Sequence, residues 1–293
     1  MIIVKLKGGL GNQIFQYSFA KLLEKITHET VKLDLSAYDS LNNDTIRKPR
    51  ILLFNISLLE ATKDEIKSKC KLNHHGNSLS FRYRIRVLLE NLINNKYFLE
   101  PNREYIDPQS LLKYEYFDGY WQSKKYVEAI RETIIPELTL VDELSEKAKN
   151  DLEEIVSKNS VFLGVRKGDY ASEKKHYGVL TPEYYSKAMD MIESRVKNPV
   201  FYVFSNDIQW CKENLITSGH KVIFRNVDKP TTDSEDFLLM SSCSHAIISN
   251  STYHWWAATL IKNPKKIICC PSKWFFDGKK IDIYEEDWIK IEV

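Results

Sequence analysis

The sequence predicts an α/β protein whose second half forms a doubly wound parallel sheet. In that half, short apolar runs alternate with helical patterns, and this alternation is typical of βαβ units. Thr181 and Pro182 fit the start of one helix, because threonine caps a helix and proline suits its first turn. The apolar runs lie at 160–166, 200–204, 221–224, 245–249 and 266–270, and the helical patterns lie at 182–195, 207–216, 234–243 and 253–261.

The first half is less regular, although it begins with a similar unit. Residues 2–6 and 30–35 predict strands with a helix between them. The apolar face of that helix is formed by Phe15, Phe19, Leu22 and Ile26. Further helices are predicted at 81–94, which is basic and amphipathic, at 125–134 and at 142–156. We place the boundary between the two halves at residue 157.

Composition excludes several classes of protein. A net charge of +2 argues against nucleic-acid binding, because positive charge is local rather than spread over the chain. Five cysteines without a C-x-x-C pair argue against a disulfide framework or structural zinc. The N-terminus lacks a signal-peptide pattern and no apolar run reaches the length of a membrane span, so we expect a cytoplasmic protein. Peripheral association with the inner face of the membrane stays open, and no oligomeric state is predicted.

A charged loop follows the apolar run 161–165 and contains Arg166, Lys167, Gly168 and Asp169. Anionic ligands bind at the carboxyl ends of strands in open α/β sheets. A guanidinium next to an ammonium suits a diphosphate, since the fork binds two oxygens and the lysine adds a point charge. The alternative is a surface turn with a solvated ion pair.

Two further strand ends carry small polar residues. Hydroxyl and amide groups at a helix N-terminus suit a phosphate, and Asp207 suits a base or a ribose. Helix capping is the alternative for Asp207. It is also the alternative for Ser251 or Thr252, where capping is compatible with phosphate binding. Together the three strand ends predict a nucleotide site. The residues at the two further strand ends are Ser205, Asn206 and Asp207, and Asn250, Ser251, Thr252 and Tyr253.

A glycine loop follows the first predicted strand. Dinucleotide-binding loops read G-x-G-x-x-G/A, but Ile14 occupies the position of the third small residue, which disfavours an NAD-dependent oxidoreductase. Close backbone approach and two side-chain amides suit a sugar or a phosphate oxygen, and a plain strand-to-helix turn is the alternative. The residues of this loop are Gly8, Gly9, Gly11, Asn12 and Gln13.

The chain resembles glycosyltransferase family 11, the α1,2-fucosyltransferases. The resemblance implies a GT-B-like arrangement of two Rossmann-type lobes, with residues 1–157 on the acceptor side and residues 158–293 binding the GDP-sugar. It also implies transfer of L-fucose from GDP-β-L-fucose, with inversion and without metal or cofactor, to a galactoside hydroxyl in α1,2 linkage. The acceptor is a galactose-containing oligosaccharide or lipid-linked glycan of surface O-antigen or capsule. The segments that carry the resemblance are 8–17, 117–126, 165–170, 202–213, 238–258 and 271–275.

Roles carried over from the family centre on the charged loop. Arg166 matches the arginine that holds the donor β-phosphate, and Asp169 belongs to the same loop. The family pattern has histidine two residues before the arginine, where this chain has Gly164, and His254 is an unusual residue in its own segment. Adjacent cations lower the pKa of Asp169 and weaken it as a base, so Glu173 is the freer candidate for general base.

Aromatic residues commonly line sugar sites, which makes Tyr120 and Trp121 candidates for the acceptor site, with core packing as the alternative for Trp121. The sequence contains no D-x-D triplet, H-E-x-x-H motif or Cys/His cluster, so we expect no metal site and assign neutralisation of the diphosphate to Arg166 and Lys167. Two other functions stay open. One is a same-fold transferase with another nucleotide sugar or linkage, and the other is a non-catalytic protein that binds a sugar nucleotide or a glycan.

Overall fold

In a computed structural model, the chain divides into two units. Unit 1 comprises residues 1–141 with 281–283, and unit 2 comprises residues 142–280 with 284–293. Each unit is built around one parallel sheet. The structure describes residues 1–39, 49–72, 81–167, 178–225 and 231–293, with the backbone alone at Arg82 and Tyr83.

Unit 1 contains a five-stranded sheet in which every strand pairing is parallel. Its strands are β1 (Ile2–Lys5), β2 (Val31–Asp34), β3 (Leu59–Glu60), β4 (Tyr97–Leu99) and β5 (Tyr116–Asp118), in the order β3-β2-β1-β5-β4. Its helices are α1 (Leu10–Thr27), α2 (Lys63–Lys69), α3 (Phe81–Ile93), α4 (Lys124–Glu128) and α5 (Arg131–Glu137).

Helix α1 is the main helix covering this sheet, and it begins directly after the glycine loop. Its predicted apolar face is confirmed, since Phe15 and Phe19 are fully buried. The helix ends at His28, which adopts a left-handed conformation at the C-cap. The helix predicted at 125–134 is instead two short helices, α4 and α5, separated by Ala129 and Ile130.

Unit 2 contains a six-stranded sheet that is also wholly parallel. Its strands are β6 (Ser160–Val165), β7 (Val200–Ser205), β8 (Val222–Phe224), β9 (His245–Ile247), β10 (Ile268–Pro271) and β11 (Ile289–Ile291), in the order β11-β10-β9-β6-β7-β8. Its helices are α6 (Glu146–Val156), α7 (Pro182–Glu193), α8 (Ile208–Asn214), α9 (Asp233–Ser241) and α10 (Thr252–Thr259).

The predicted alternation of strands and helices in the second half is confirmed. All six residues of β6 are buried, as expected of a central parallel strand with both faces covered. On one face, α7 contributes Tyr184, Tyr185 and Met189 to a core that also includes residues of β7, β9 and β10. The sheet is therefore doubly wound, because successive strands lie on both sides of β6.

The observed division of the chain differs from the boundary at residue 157. Helix α6, assigned from the sequence to the first half, belongs to unit 2. The Tyr202 hydroxyl of β7 donates to the Glu154 carboxylate at 3.0 Å, and Arg225 forms an ion pair with Asp151. In unit 1, the backbone N–H of Lys124 donates to the carbonyl oxygen of Asp282 at 2.8 Å. The boundary between the two units therefore lies after Val141 rather than at residue 157, and residues 281–283 belong to unit 1.

Among the described residues, no helix combines the length and the apolar character that crossing a bilayer requires.

A buried ion cluster joins β1 to β5 in unit 1. The carboxylate of Asp118 pairs with Lys7 and lies 3.9 Å from Nζ of Lys5, and the Tyr97 hydroxyl donates to it at 2.9 Å. Burial alone would raise the pKa of Asp118, but the two lysines outweigh burial and hold it well below its usual range. Asp118 is therefore ionised in the folded protein and holds two cations at the carboxyl ends of the central strands.

We expect Asp118→Ala to lower the free energy of unfolding by about 3 kcal/mol or more, because it leaves buried lysine charge uncompensated. Urea denaturation measures the change. Since the folded pKa of Asp118 is depressed, its stabilising contribution is complete at neutral pH and is lost as the pH falls below about 4. Glu115→Ala is the matched control: Glu115 pairs with Lys69 and Lys96 while partly exposed, so we expect a loss of at most about 1 kcal/mol. Equal losses would contradict the assignment.

Candidate functional site

The charged loop of unit 2 lies at the topological switch point of its sheet. From β6 the chain builds β7 and β8 on one side and then returns to build β9, β10 and β11 on the other. Loops after the strands on either side of such a point diverge and leave a crevice at the carboxyl edge, where ligands bind. Arg166 and Lys167 directly follow the end of β6 at this edge. The three strand ends singled out in the sequence, those of β6, β7 and β9, are therefore neighbours.

Lys167 is held by the strand end next to it. Its backbone N–H donates to Oδ1 of Asn206 at 3.1 Å, and its Nζ lies 3.9 Å from the ring centroid of Trp210 in α8. An ammonium over an indole face is attracted by the ring's electron density. The cation is thus fixed beside the ends of β6 and β7, and Arg166, the residue before it, is partly buried.

Of the predicted ligand residues at the end of β7, Asp207 caps a helix and Ser205 supports it. Asp207 is the N-cap of α8 and accepts from the backbone N–H of Trp210 at 3.1 Å. The hydroxyl of Ser205 accepts from the N–H of Asp207 at 3.0 Å. Of the two interpretations offered for Asp207, the structure shows capping.

The segment after β9 leads into α10. Ser251 is its N-cap residue and makes no side-chain capping hydrogen bond, so the predicted cap is not observed there. Asn250 is buried and its amide donates to the carbonyl oxygen of Trp274 at 3.0 Å, which gives it a structural contact. The Tyr253 hydroxyl donates to the carbonyl oxygen of Asp233. Thr252 begins the helix, whose N-terminus is thereby aimed at the carboxyl edge of the sheet.

His254 fills the space in front of Gly164. A Cβ atom on residue 164 would lie 2.7 Å from both Cγ and Nδ1 of the His254 imidazole. The ring is buried, and a hydrogen bond of 2.8 Å joins its Nδ1 to Oγ of Ser249. The missing side chain in β6 and the unusual histidine in α10 are therefore two parts of one packing arrangement.

The His254 imidazole is neutral in the folded protein. Burial lowers its pKa to about 3, and the positive charge of Arg166 acts in the same direction. A neutral ring next to the arginine adds no second positive charge to repel it. Arg166 therefore has an uncharged ring within electrostatic range.

Gly168, Asp169 and Glu173 lie outside the described residues, so their predicted roles stay predictions.

In unit 1 the glycine loop likewise follows a central strand, at a point where the strand order reverses. The strand order β3-β2-β1-β5-β4 reverses between β1 and β5. Lys7 and Gly8 lie shortly after β1, and Tyr120 is the second residue after β5. Gly8 has φ of 83°, and a Cβ atom there would lie 2.6 Å from Nδ2 of Asn12. Glycine is required at this position by both backbone conformation and space.

The side chains of the glycine loop hold the loop itself. The Gln13 amide donates to the carbonyl oxygen of Gly8 at 3.0 Å and accepts from the N–H of Ile51 at 2.9 Å, and the residue is fully buried. The prediction that Gln13 contacts a ligand is therefore replaced by a structural role. Asn12 is partly exposed and accepts from Gln122 at 2.8 Å. Gly9 precedes α1 and Gly11 lies in its first turn.

The two predicted acceptor residues differ in their surroundings. Trp121 is fully buried and stacks on Phe19 with ring centroids 3.8 Å apart, which corrects its assignment to core packing. Tyr120 is partly exposed, and the cationic groups of Lys7 and Arg103 each lie 4.9 Å from its ring centroid. Tyr120 therefore remains a candidate.

Glu100 is a candidate that the sequence analysis missed. It follows β4 directly, and its carboxylate accepts from the backbone N–H groups of Tyr120 and Trp121 at 2.5 and 3.0 Å. Burial raises the pKa of Glu100 to about 7, although those N–H groups and the charges of Lys7 and Arg103 oppose the rise. No signal in the sequence marked Glu100, because it follows the short edge strand β4, which the apolar pattern did not predict.

Within the described part of the chain, one group of three side chains has the spacing to hold a metal ion: Asp190, Glu193 and His220. These residues lie near the amino ends of β7 and β8, the edge opposite Arg166. The group is therefore separate from the predicted nucleotide site.

Two units with parallel sheets, each with polar side chains where the strand order reverses, define an α/β protein of the Rossmann type, a class in which ligands bind at the carboxyl ends of the strands. The model of Glycosyl transferase family 11 matches residues 1–292, and the chain belongs to this family. It is therefore a glycosyltransferase, and the GT-B-like fold class predicted from the sequence is confirmed at the level of its two Rossmann-type units.

Several known proteins are similar to this chain. It is 30% identical to the O-antigen biosynthesis glycosyltransferase WbnK of Escherichia coli, over 98% of this chain and 99% of that protein. An alpha-1,2-colitosyltransferase of Escherichia coli is 29% identical, and the match covers 100% of this chain and 99% of that protein. Galactoside alpha-(1,2)-fucosyltransferase 2 of Rattus norvegicus is 28% identical, and the match covers 89% of this chain and 67% of that protein. Among solved structures, the fucosyltransferase NodZ from Bradyrhizobium aligns with a TM-score of 0.47 and 12% identity. The alignment covers 91% of this chain and 94% of that chain.

We expect Gly164→Ala to destabilise the protein by about 2 kcal/mol, because the new methyl group overlaps a buried ring that has little room to move. In a His254→Ala background, we expect most of that cost to disappear. A double-mutant cycle measured by urea denaturation therefore gives a coupling energy of about 1–2 kcal/mol between the two positions.

His245→Ala is the matched control for this cycle. His245 is also a buried histidine, but it pairs with Val161, three residues before Gly164 along β6 and roughly 10 Å away. We expect the effects of Gly164→Ala and His245→Ala to be additive. Additivity in the His254 cycle as well would show that the two side chains do not compete for one space.

Proposed function

We propose that this glycosyltransferase moves L-fucose from GDP-β-L-fucose to a galactoside hydroxyl in α1,2 linkage, in the synthesis of a surface glycan such as O-antigen or capsule. Two relatives support the proposal by their names, one in O-antigen biosynthesis and one a galactoside alpha-(1,2)-fucosyltransferase. The acceptor is a galactose-containing oligosaccharide or a lipid-linked glycan.

The observation that carries the proposal is the pair of cations at the switch point of unit 2. GDP leaves as a diphosphate, and its negative charge grows as the bond to the sugar breaks. Arg166 takes the β-phosphate, and Lys167 and the N-terminus of α10 at Thr252 add to the positive potential. Ser205, Asn206, Asp207 and Tyr253 border this site. These groups stabilise the leaving group without requiring a metal ion or a cofactor.

The sugar develops positive charge at its anomeric carbon in the same step, as in glycoside hydrolysis. An acceptor hydroxyl attacks that carbon from the face opposite GDP: one C–O bond forms, the bond to the diphosphate breaks, and the hydroxyl proton passes to a base. Inversion follows from this single displacement.

We assign acceptor recognition to the polar cluster at the switch point of unit 1. Tyr120 offers an aromatic face, and Lys7 and Arg103 offer hydrogen-bond donors to sugar hydroxyls. Glu100 is our candidate for general base, because its pKa of about 7 leaves it sufficiently ionised and sufficiently basic at neutral pH. It is a stronger base than a carboxylate whose pKa is lowered by adjacent cations.

A second donor is supported by one specific relation. The similarity to an alpha-1,2-colitosyltransferase extends over both whole chains. Colitose is L-fucose without the 3-hydroxyl group, so GDP-colitose presents the same diphosphate and the same anomeric centre to the site. Transfer of colitose is therefore the alternative activity.

A donor panel tests the proposal directly. The purified full chain is incubated with lactose or N-acetyllactosamine and with GDP-fucose, GDP-colitose or GDP-mannose, with and without EDTA. We expect GDP release and an α1,2-linked product with GDP-fucose, none with GDP-mannose, and no effect of EDTA. Turnover with GDP-colitose alone would establish the alternative, and loss of turnover in EDTA would overturn the metal-free mechanism. Tight GDP binding without turnover on any galactoside would identify a non-catalytic binding protein.

Arg166→Ala should reduce kcat by 10²–10³, or about 3–4 kcal/mol of transition-state stabilisation, because it removes a preorganised donor to developing charge. Steady-state kinetics with GDP-fucose measure the change, and circular dichroism verifies folding. Arg195→Ala is the control: Arg195 is exposed and precedes β7, at the opposite edge of the sheet. A kcat within twofold of wild type for Arg166→Ala would remove Arg166 from the chemistry.

Glu100→Gln should lower kcat at neutral pH and abolish the acidic limb of the pH profile. In the wild type, activity rises as Glu100 loses its proton, so we expect kcat/KM to increase with pH through a midpoint near 7. Glu104→Gln, an exposed neutralisation four residues away, should leave this limb unchanged. If the limb persists in Glu100→Gln, another group is the base, with Glu173 next in line.

A further inference from the structure

Helix α3 presents apolar side chains to solvent and polar side chains to the interior of unit 1. This orientation is the reverse of the usual one for a surface helix. The inward side consists of Glu90, the apolar Val87, and Asn94 directly after the helix. The large apolar residues that face outward are Phe81, Ile85, Leu88, Leu89, Leu92 and Ile93.

The inward face is held by specific hydrogen bonds. The Glu90 carboxylate accepts from the backbone N–H of Lys71 at 2.7 Å and from the N–H of Leu72, and the Asn94 amide donates to it at 2.6 Å. Asn94 also donates to the carbonyl oxygen of Lys69 at 2.8 Å. Rotating the apolar face inward would break all of these bonds, so the outward orientation is built into the fold.

The outward residues form one continuous stripe. Positions 81, 85, 88, 89 and 92 are spaced i, i+4, i+7, i+8 and i+11, which places them on one side of a helix. Phe81 is 76% exposed and Leu92 is 79% exposed, and the two positions are roughly 16 Å apart along the axis. An apolar surface of this kind on a soluble protein marks an interaction site.

Positive charge borders the stripe. Arg84 and Arg86 are exposed and lie on opposite sides of it by helical geometry. The single acidic residue of α3 is Glu90, which faces inward. Neither arginine forms an ion pair with another residue in the part of the chain that the structure describes.

We propose that α3 is an interfacial helix that binds the surface of an anionic phospholipid bilayer. Apolar residues on a convex face, flanked by cations, match a layer of acyl chains beneath negatively charged headgroups. A second copy of the chain fits less well, because a symmetric contact would bring arginine-bordered edges together with no carboxylate on this face to pair with them. The inference goes beyond the transfer reaction, since it describes where the protein acts rather than what it transfers.

Co-flotation of the full chain with vesicles tests the proposal. We expect binding to phosphatidylglycerol/phosphatidylcholine vesicles and much weaker binding to phosphatidylcholine alone. The double variant Leu88→Ser/Leu92→Ser should reduce vesicle binding more than tenfold, and Arg84→Ala and Arg86→Ala should reduce it about fivefold each, the equivalent of ~1 kcal/mol per arginine. Leu59→Ser/Val156→Ser is the matched control, since both residues are similarly exposed in other elements.

Kinetics with a soluble galactoside separate this proposal from the proposed function. We expect Leu88→Ser/Leu92→Ser to retain wild-type kcat, because α3 holds none of the groups assigned to the chemistry. Absence of wild-type binding to anionic vesicles, or equal binding by the Leu88/Leu92 variant, would overturn the proposal. A concentration-dependent dimer in light scattering that the same substitutions abolish would overturn it as well, since it would make this face a self-interface.

Discussion

Parallel strands end at one edge of their sheet, and this constraint organises both units. A parallel sheet gathers residues that are far apart in the sequence into one row of loops, and the reversal of strand order opens a crevice within that row. Arg166, Asn206 and Thr252 are neighbours for this reason alone. The same rule places Lys7, Tyr120 and Glu100 together in unit 1. The positions of the functional groups therefore follow from topology before any side-chain contact is considered.

The packing of His254 against Gly164 links α10 to the central strand β6. A Cβ atom at position 164 would overlap the imidazole, so the ring and the glycine depend on each other. Burial keeps the ring neutral, so it does not compete with Arg166 for the charge of a phosphate. The hydrogen bond to Ser249 fixes the ring's orientation, and the glycine provides the space it occupies.

Strong periodic signals in the sequence predicted the second half well, because buried parallel strands read as continuous apolar runs separated by helices. Short elements such as β4 and β5 gave no such signal, and the aromatic stretch that contains β5 was read as a candidate ligand surface. Whether an aromatic residue lines a site or a core depends on its tertiary neighbours, which is why Trp121 was misassigned. The inversion of α3 was equally hidden, since only the partners of Glu90 reveal which face is buried.

The two donors considered for this protein, GDP-fucose and GDP-colitose, differ only in the 3-hydroxyl group of the sugar. A site whose polar groups hydrogen-bond the 3-hydroxyl of fucose strongly rejects colitose, because the analogue leaves those groups buried and unpaired. A site built around the bare 3-position of colitose discriminates less, since an apolar pocket rejects an added hydroxyl by only about 10². The discrimination is therefore asymmetric: strong preference for fucose identifies a fucose site, whereas acceptance of both donors points to a pocket shaped for the deoxy sugar. Discrimination between the two donors therefore depends on the groups that face the 3-position of the sugar, and not on a residue that we assign to the diphosphate, such as Arg166.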